Sequence, residues 1–317
     1  MLRYLRLLPV LAISTLLPAR VDTAPHNLTL PANVPTILDH IYSGQRNLAL
    51  EEVHQFEQQA PNDPLPYLLE AEAQWWRIWC SAAEFKYGMN VARRRDKMSG
   101  DAEYFALTSK AYALADASLH QHDSAEMHLY AGMADALASR LYSLRGEYRA
   151  TARTGVRARE NFLRALKLDP SLADADMGLG LYNYYVDTLS GIARVLRFFM
   201  GIPGGSKQEG VRQLEHAIRD GQITPRLAHF YLAQNLEIFD QKYEQALQVL
   251  TPLAEEYPEN PVYQLVRGDL LAKLGRKPQA EAAYRAASTV VDQVPETDCR
   301  ARLARLVEES LAALKGR

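Results

Sequence analysis

The sequence predicts an all-α fold, a solenoid of helical hairpins wound into a right-handed superhelix. Apolar residues recur at intervals of three and four, with no convincing strand-like alternation. Ala246 and Ala280 stand 34 residues apart, in segments whose residue types correspond. In three segments a proline follows an alanine by 12 positions: Ala49 with Pro61, Ala158 with Pro170, and Ala246 with Pro258. A 34-residue period is typical of a helix–turn–helix unit that buries its core by stacking on its neighbours.

The residue types of the last unit suit helices that cross closely. Gly268, Gly275, Ala280 and Ala287 are small, and Tyr284 is the bulky residue among them. A small residue lets two helices approach because no side chain separates their backbones, and a bulky residue fills the gap beside it. With the period, this pattern resembles the tetratricopeptide repeat (TPR), and the resemblance implies a TPR-like solenoid.

The first residues have the character of a targeting signal. Met1 to Arg6 carries two arginines and no acid, and residues 7–17 form an apolar stretch of signal-peptide length. We therefore expect residues 1–19 to be a signal peptide and the chain to be extracytoplasmic, either periplasmic or secreted. Mitochondrial import and a membrane anchor formed by an uncleaved signal are the alternatives. The mature chain is expected to have no integral membrane span.

The rest of the chain divides into a leader and a repeat domain. Residues 20–35 mix proline, asparagine and threonine, which predicts a flexible leader. The solenoid is expected over 36–317, with its clearest repeats at 227–260 and 261–294. A last amphipathic helix at about 297–315 has the one polar and one apolar face that a capping helix needs.

Helix starts are marked by side chains that can cap a helix. Asp63, Thr224 and Asn260 each precede a proline, which suits an N-cap followed by proline at the first helical position. Ser206 precedes Glu209 by three residues, which is the pattern of a capping box.

The middle of the chain departs from the regular period. One long helix is predicted from Tyr67 to about Arg93, and another from about Asp101 to His120. The three adjacent arginines 93–95 are interpreted as a solvated helix end. Trp75 and Trp79 share one face of the long helix and are expected to pack in the core. Trp76 lies off that face, toward a groove.

A second insertion spans residues 174–225. It holds a helix with Tyr182, Tyr184 and Tyr185, and then an extra apolar segment at 193–200 that includes Phe198 and Phe199. The glycine-rich turn at 201–205 lacks the spacing of a phosphate-binding loop, and no strand precedes it.

The insertion carries a more specific resemblance. Its segments GLGLYNYY (178–185), VLRFFMG (195–201) and GVRQL (210–214) resemble the central stretch of the tetratricopeptide repeat protein 39 family and its fungal outer-membrane relatives. The match covers about residues 174–236. It implies non-catalytic scaffolding, which in some members of that family is linked to lipid droplets or to clearance of protein inclusions.

No pattern indicates an enzyme or a cofactor. The densest group of candidate ligands is His120, His122, Asp123, Glu126 and His128. Two histidines at i and i+2 of a helix point to different faces, so we interpret the group as a surface turn, and a zinc or copper site is the alternative. No metal site and no catalytic residue is therefore assigned.

The two cysteines, Cys80 and Cys299, lie far apart in the sequence. A disulfide is chemically possible in an oxidising compartment. Because an open superhelix separates its first and last repeats, we expect two buried thiols instead.

The concave face is the predicted binding surface, since the first helix of each TPR hairpin lines it. Counting along the repeats places ten residues there: Met177, Leu181, Tyr184, Tyr185, Tyr231, Asn235, Ile238, Phe239, Leu265 and Asp269. Aromatic rings with polar tips suit peptide recognition. The lysine and asparagine of a chaperone-tail clamp are absent, because Tyr231 and Val266 stand at their places.

These observations predict a non-catalytic TPR scaffold that binds a protein or peptide partner. The formal net charge of −2 argues against a nucleic-acid partner. The alternative is a small-molecule or lipid-binding module that uses an aromatic pocket between residues 182–185 and Phe198–Phe199. The oligomeric state stays open.

Overall fold

A computed structural model describes residues 28–82, 86, 98, 100–189, 191, 197–198 and 201–315. Within these ranges all regular structure is helical. The helices are α1 (Val34–Ser43), α2 (Arg46–Gln59), α3 (Pro64–Ala82), α4 (Gly100–Leu119), α5 (Ala125–Arg145), α6 (Tyr148–Leu168), α7 (Asp174–Asp187), α8 (Lys207–Asp220), α9 (Pro225–Ile238), α10 (Tyr243–Glu256), α11 (Pro261–Lys273), α12 (Lys277–Val290) and α13 (Thr297–Lys315). A short 3₁₀ turn, Val291–Gln293, precedes α13.

The helices form hairpins that stack in chain order. Each helix from α4 to α13 packs on the next, so that a hairpin contacts the hairpins before and after it. The two segments with the 34-residue period are the hairpins α9–α10 and α11–α12. The prediction of an all-α, TPR-like solenoid is therefore confirmed. No helix in the described ranges combines the length and the apolar character needed to cross a bilayer.

Close crossings occur where the sequence places small residues opposite a ring. The buried Phe162 ring of α6 is held between Gly132 of α5 and Gly178 of α7. A Cβ atom would lie 2.7 Å from this ring if added at Gly132 and 2.0 Å if added at Gly178. The ring therefore cannot move away from one glycine without approaching the other, and three successive helices are fixed at one point.

Most of the predicted caps are present. The Ser206 hydroxyl accepts a hydrogen bond from the backbone N–H of Glu209, and the Asn260 side chain accepts one from Val262. Asp63 accepts a hydrogen bond from the N–H of Leu65 at the start of α3. The prediction for Thr224 is wrong, because its hydroxyl donates to the Asp174 carboxylate rather than capping α9.

The irregular regions are only partly described. Helix α3 begins at Pro64, three residues before the predicted start, and is described as far as Ala82. Apart from Lys86, the expected continuation to Arg93 lies outside the described residues, as do the arginines 93–95 and most of the apolar segment 193–200. The predicted signal peptide and the first part of the leader also lie outside them.

The superhelix is closed, and this overturns the prediction of two free thiols. Cys80 of α3 and Cys299 of α13 form a disulfide, with their Cα atoms 5.4 Å apart. The prediction assumed an open arrangement that keeps the two ends of the chain distant. In the structure α3 packs directly against α13, so residues 219 positions apart in the sequence become neighbours.

Polar contacts join the first hairpin to the last ones. Arg46 of α2 pairs with Glu296 just before α13 at 3.1 Å. Asp39 of α1 accepts hydrogen bonds from Arg226 of α9 and from the hydroxyl of Tyr257, both at 2.7 Å. These contacts add polar links to the closure made by the disulfide.

We expect Gly178→Ala to lower the free energy of unfolding by about 2 kcal/mol, since its Cβ atom would overlap a ring that has no space to retreat into. Gly155→Ala in α6 is the matched control. Its nearest contact is the Ser139 hydroxyl at 3.5 Å, so it should stabilise the chain by about 0.5–1 kcal/mol through helix propensity. Urea unfolding followed by circular dichroism measures both. Equal effects of the two substitutions would contradict the placement of the Phe162 ring between Gly132 and Gly178.

Candidate functional site

The interior of the closed superhelix is an aromatic cluster built by distant helices. The Trp76 ring of α3 makes edge contacts with Tyr42, Phe230 and Tyr263, at centroid distances of 5.9–6.2 Å. Its neighbour Trp79 contacts Phe230 at 5.1 Å. Trp76 thus lies on the inner side, as expected, but it meets other rings there rather than open solvent. Helix α3 fills the space that an open solenoid would leave as a groove.

The ten residues predicted for the concave face differ in how far their side chains are buried. Five of them are buried, with 6% or less of their surface exposed: Met177, Tyr184, Tyr231, Asn235 and Leu265. Four are half-buried: Leu181, Tyr185, Ile238 and Asp269. Phe239 is exposed. Their role in binding stays a prediction. Only the half-buried and exposed residues of this set have surface that a partner could contact.

Three of the predicted residues meet in space. The rings of Tyr184, Tyr185 and Phe239 are mutually 6.0–6.1 Å apart, at steep interplanar angles. Tyr184 is the buried base of the triangle, and its hydroxyl donates to the Asn235 carbonyl at 3.0 Å. Tyr185 and Phe239 form the outer edge. We call these three residues the aromatic ledge.

Charges flank the ledge on one side. The Lys207 ammonium lies 5.0 Å from the centroid of the Tyr184 ring, in a cation–π geometry, and also pairs with Asp240. Burial and the nearby Asp240 raise the pKa of Tyr184, so its hydroxyl stays protonated and acts as a hydrogen-bond donor. The ledge therefore offers an apolar edge beside an ion pair.

The glycine-rich turn folds back onto the same helix. The Tyr182 hydroxyl donates to the Pro203 carbonyl at 2.9 Å, and a Cβ atom at Gly205 would lie 2.6 Å from the Asn183 carbonyl oxygen. Phe198, which precedes this turn, keeps 77% of its surface exposed. Phe199, the other ring of the alternative lipid-binding pocket, lies outside the described residues.

The histidine group does not assemble a metal site. His128 contacts the Asn161 side-chain oxygen through Nδ1 and Asp123 through Nε2, both at 2.8 Å. Both ring nitrogens are thus engaged, and no group of three metal-ligating side chains occurs in the described part of the chain. A shallow cavity of about 220 Å³ lies beside His120 and His128. The zinc or copper alternative finds no ligand set there.

Asp174 has a role that its sequence position conceals. Its buried carboxylate accepts hydrogen bonds from the backbone N–H groups of Gln222, Ile223 and Thr224, and from the Thr224 hydroxyl. A carboxylate in the first turn of a helix ordinarily stabilises that helix. Instead it anchors the link between α8 and α9, and so places the helix that carries Asn235 and ends at Phe239.

A carboxylate pair that the sequence did not reveal joins α2 and α3. Glu57 and Glu70 share a hydrogen bond, and His54 lies 3.4 Å from Glu70. Burial, the hydrogen bond with Glu70 and the charge of Glu70 raise the pKa of Glu57 from 4.5 to about 7. The two glutamates lie 13 positions apart on different helices, and no motif spacing indicates such a pair.

Known proteins similar to this chain are found among solved structures. No protein-family model matches the chain, and no curated protein matches it. Among solved structures, the C-terminal part of a TPR repeat-containing protein from Cytophaga hutchinsonii is similar at a TM-score of 0.35 and 13% sequence identity. The similarity covers 89% of this chain and 95% of that one.

We expect the free energy of unfolding to fall as the pH rises from about 4.5 to about 7. The folded chain keeps the shared proton of Glu57 up to about pH 7, whereas the unfolded chain releases it near pH 4.5. The stabilisation is complete below that range and is lost above it.

Glu57→Gln should flatten this slope, because the amide imitates the protonated acid. Glu51→Gln, at an exposed position of the same helix, is the control and should leave the slope unchanged. Chemical unfolding at a series of pH values measures both variants. A slope equal to that of the parent chain in Glu57→Gln would contradict the shared proton.

Proposed function

We propose that the chain is a non-catalytic TPR-like scaffold that binds a protein or peptide partner in an extracytoplasmic compartment. The observation that carries the proposal is the aromatic ledge. Helix α7 and the C-terminal end of α9 bring Tyr184, Tyr185 and Phe239 together with their outer edge exposed. Large, rigid rings beside polar groups are the usual anchors of protein interfaces.

The closed interior supports a rim site rather than a groove site. Trp76 of α3 packs against Phe230 of α9 and Tyr263 of α11, so a peptide lying along the inner faces of these two helices would have to displace α3. The ledge instead lies at the C-terminal ends of α7 and α9. Leu189, just beyond α7, and Phe198 are further exposed apolar residues in the stretch of sequence that follows α7. A partner can therefore dock at the rim without opening the fold.

The resemblance to the tetratricopeptide repeat protein 39 family supports the same proposal, since non-catalytic scaffolding is what it implies. The two segments that carry most of it, 178–185 and 210–214, lie in α7 and α8. In the structure Gly180 and Gly210 bring these two helices into backbone contact, because a Cβ atom at Gly210 would lie 2.6 Å from the Gly180 carbonyl oxygen. Residues in these two segments therefore form the helix–helix packing that supports the aromatic ledge.

The cysteine pair supports the extracytoplasmic part of the proposal. Disulfides persist in oxidising compartments and are rare where thiol reductants are abundant. The Cys80–Cys299 bond joins the two ends of the closed fold, so a reducing compartment would remove a cross-link between them. The arginine-bearing, acid-free and then apolar character of residues 1–19 points to the same compartments.

A photo-crosslinking amino acid at position 239 should give a covalent adduct with a protein partner in the native host. The same group at Leu48, which is 47% exposed on α2, is the matched control and should give none. Tyr185→Ala should weaken partner binding about 30-fold, the loss expected for a truncated aromatic anchor worth about 2 kcal/mol. Leu48→Ala should leave binding unchanged.

The alternative function predicts a different product in this experiment. If position 239 gives an adduct with a lipid or small molecule and none with a protein, the chain is a lipid- or small-molecule-binding module rather than a protein-binding scaffold. Adducts of equal yield at positions 239 and 48 would contradict a specific site at the ledge.

When the full-length gene is expressed in its own host, the mature chain should begin at Arg20 and carry no thiol that maleimide can modify before reduction. N-terminal sequencing and a mass-shift alkylation assay of the fractionated cells measure the two properties. A chain that retains residues 1–19 and has two reactive thiols would contradict the extracytoplasmic proposal. A retained segment with an intact disulfide would favour the membrane-anchored alternative.

A further inference from the structure

One side chain from the region after α3 is bound by two of the last three helices. The ammonium group of Lys86 lies 2.9 and 2.8 Å from the two carboxylate oxygens of Asp269 in α11. It also lies 2.8 Å from the Ser310 hydroxyl oxygen in α13. These three oxygens match the three N–H donors of a primary ammonium group. Both Lys86 and Asp269 have side chains that are about 15% exposed or less.

The acceptor groups are held in place independently of Lys86. The Tyr284 hydroxyl of α12 donates to Asp269 at 2.6 Å, and the Ser310 hydroxyl donates to the Leu306 carbonyl at 2.7 Å. The Tyr284 ring is itself fixed, because a Cβ atom at Gly268 would lie 2.4 Å from it. The close crossing of α11 and α12 therefore positions the carboxylate. We call Asp269, Tyr284 and Ser310 the ammonium socket.

The electrostatics of the surroundings require an occupant with a positive charge. Glu237 of α9 is 5% exposed and pairs with Lys273 at 2.7 Å. Burial raises the pKa of Glu237 and the charge of Asp269 acts in the same direction, while the charges of Lys273 and Lys86 oppose the shift. Two carboxylates thus lie near one another and are balanced by two lysines. Removing Lys86 leaves a largely buried carboxylate without a counter-charge, which is costly.

We propose that Asp269, Tyr284 and Ser310 form a binding site for a primary ammonium group, which the chain's own Lys86 occupies in the closed state. A lysine side chain of a partner is the external ligand that fits the site. The donor count and the compact arrangement of oxygens select an alkylammonium over a planar guanidinium, and over a quaternary ammonium that has no N–H group. This inference is independent of the aromatic ledge, since it involves neither α7 nor Phe239.

The position of the socket links binding to the closed fold. Lys86 follows Cys80 by six residues, and both are attached to the C-terminal helices, one covalently and one by ion pairing. A lysine-bearing partner that enters the socket would replace the ionic attachment and leave the disulfide in place.

Chemical rescue of Lys86→Ala tests the socket, with n-butylammonium as the probe and the disulfide kept oxidised. The truncated side chain leaves room for an alkylammonium, so the variant should bind the probe with a Kd on the order of 10 mM, as expected for a ligand of five heavy atoms. At ten times that concentration the Tm should rise by about 2 °C. Differential scanning fluorimetry and titration calorimetry provide the two measurements.

Two controls separate the site from a general salt effect. Tetramethylammonium carries the same charge without N–H donors and should produce no rise in Tm. Lys86→Ala combined with Asp269→Asn should bind n-butylammonium at least tenfold more weakly. Equal effects of the two salts, or equal binding by the double variant, would overturn the proposal.

If Lys86→Ala is unfolded in buffer, the readout becomes recovery of the helical signal on adding the probe. Recovery with n-butylammonium and not with tetramethylammonium supports the socket, whereas no difference between the salts overturns it. A negative result for the ammonium socket does not change the result expected from crosslinking at position 239, so each proposal can be contradicted without the other.

Discussion

The packing of α3 against the last repeats is the constraint on which the rest of the structure depends. A solenoid of hairpins ordinarily leaves its inner face open, because each hairpin touches only its neighbours. Here Trp76 and Trp79 place their rings against Phe230 of α9, and Cys80 is bonded to Cys299 of α13. A link across 219 residues removes much of the freedom of the unfolded chain, in addition to the burial of the rings.

Closure decides where a partner can reach the molecule. It turns the inner faces of α9 and α11 into core, so Tyr231 and Leu265 contribute to stability in the closed state. Two places of different chemistry remain at the boundary between core and solvent. The aromatic ledge offers ring surface, and the ammonium socket offers three oxygens already engaged by Lys86. The first is available as it stands, whereas the second is occupied within the chain.

Local patterns in the sequence were informative where the interaction is also local. The 34-residue period located the α9–α10 and α11–α12 hairpins, and the Ser206 cap is present as expected. Tyr284 lies against Gly268, as the small-and-bulky pattern indicates. The meeting of Tyr184, Tyr185 and Phe239 followed in part from counting repeat positions. The shared proton of Glu57 and the anchoring role of Asp174 had no such signal, because each depends on a partner in another helix.

The sequence by itself determined that the chain is helical, which residues cross closely, and where several of the described helices begin. These properties depend on side-chain size, capping groups and periodicity over a few tens of residues. Only the tertiary structure decided that the superhelix closes, that its cysteines pair, and that Lys86 reaches Asp269. The reason is geometric. The distance between the first and last hairpins accumulates from a small rotation at every stacked pair, and no short pattern encodes that sum.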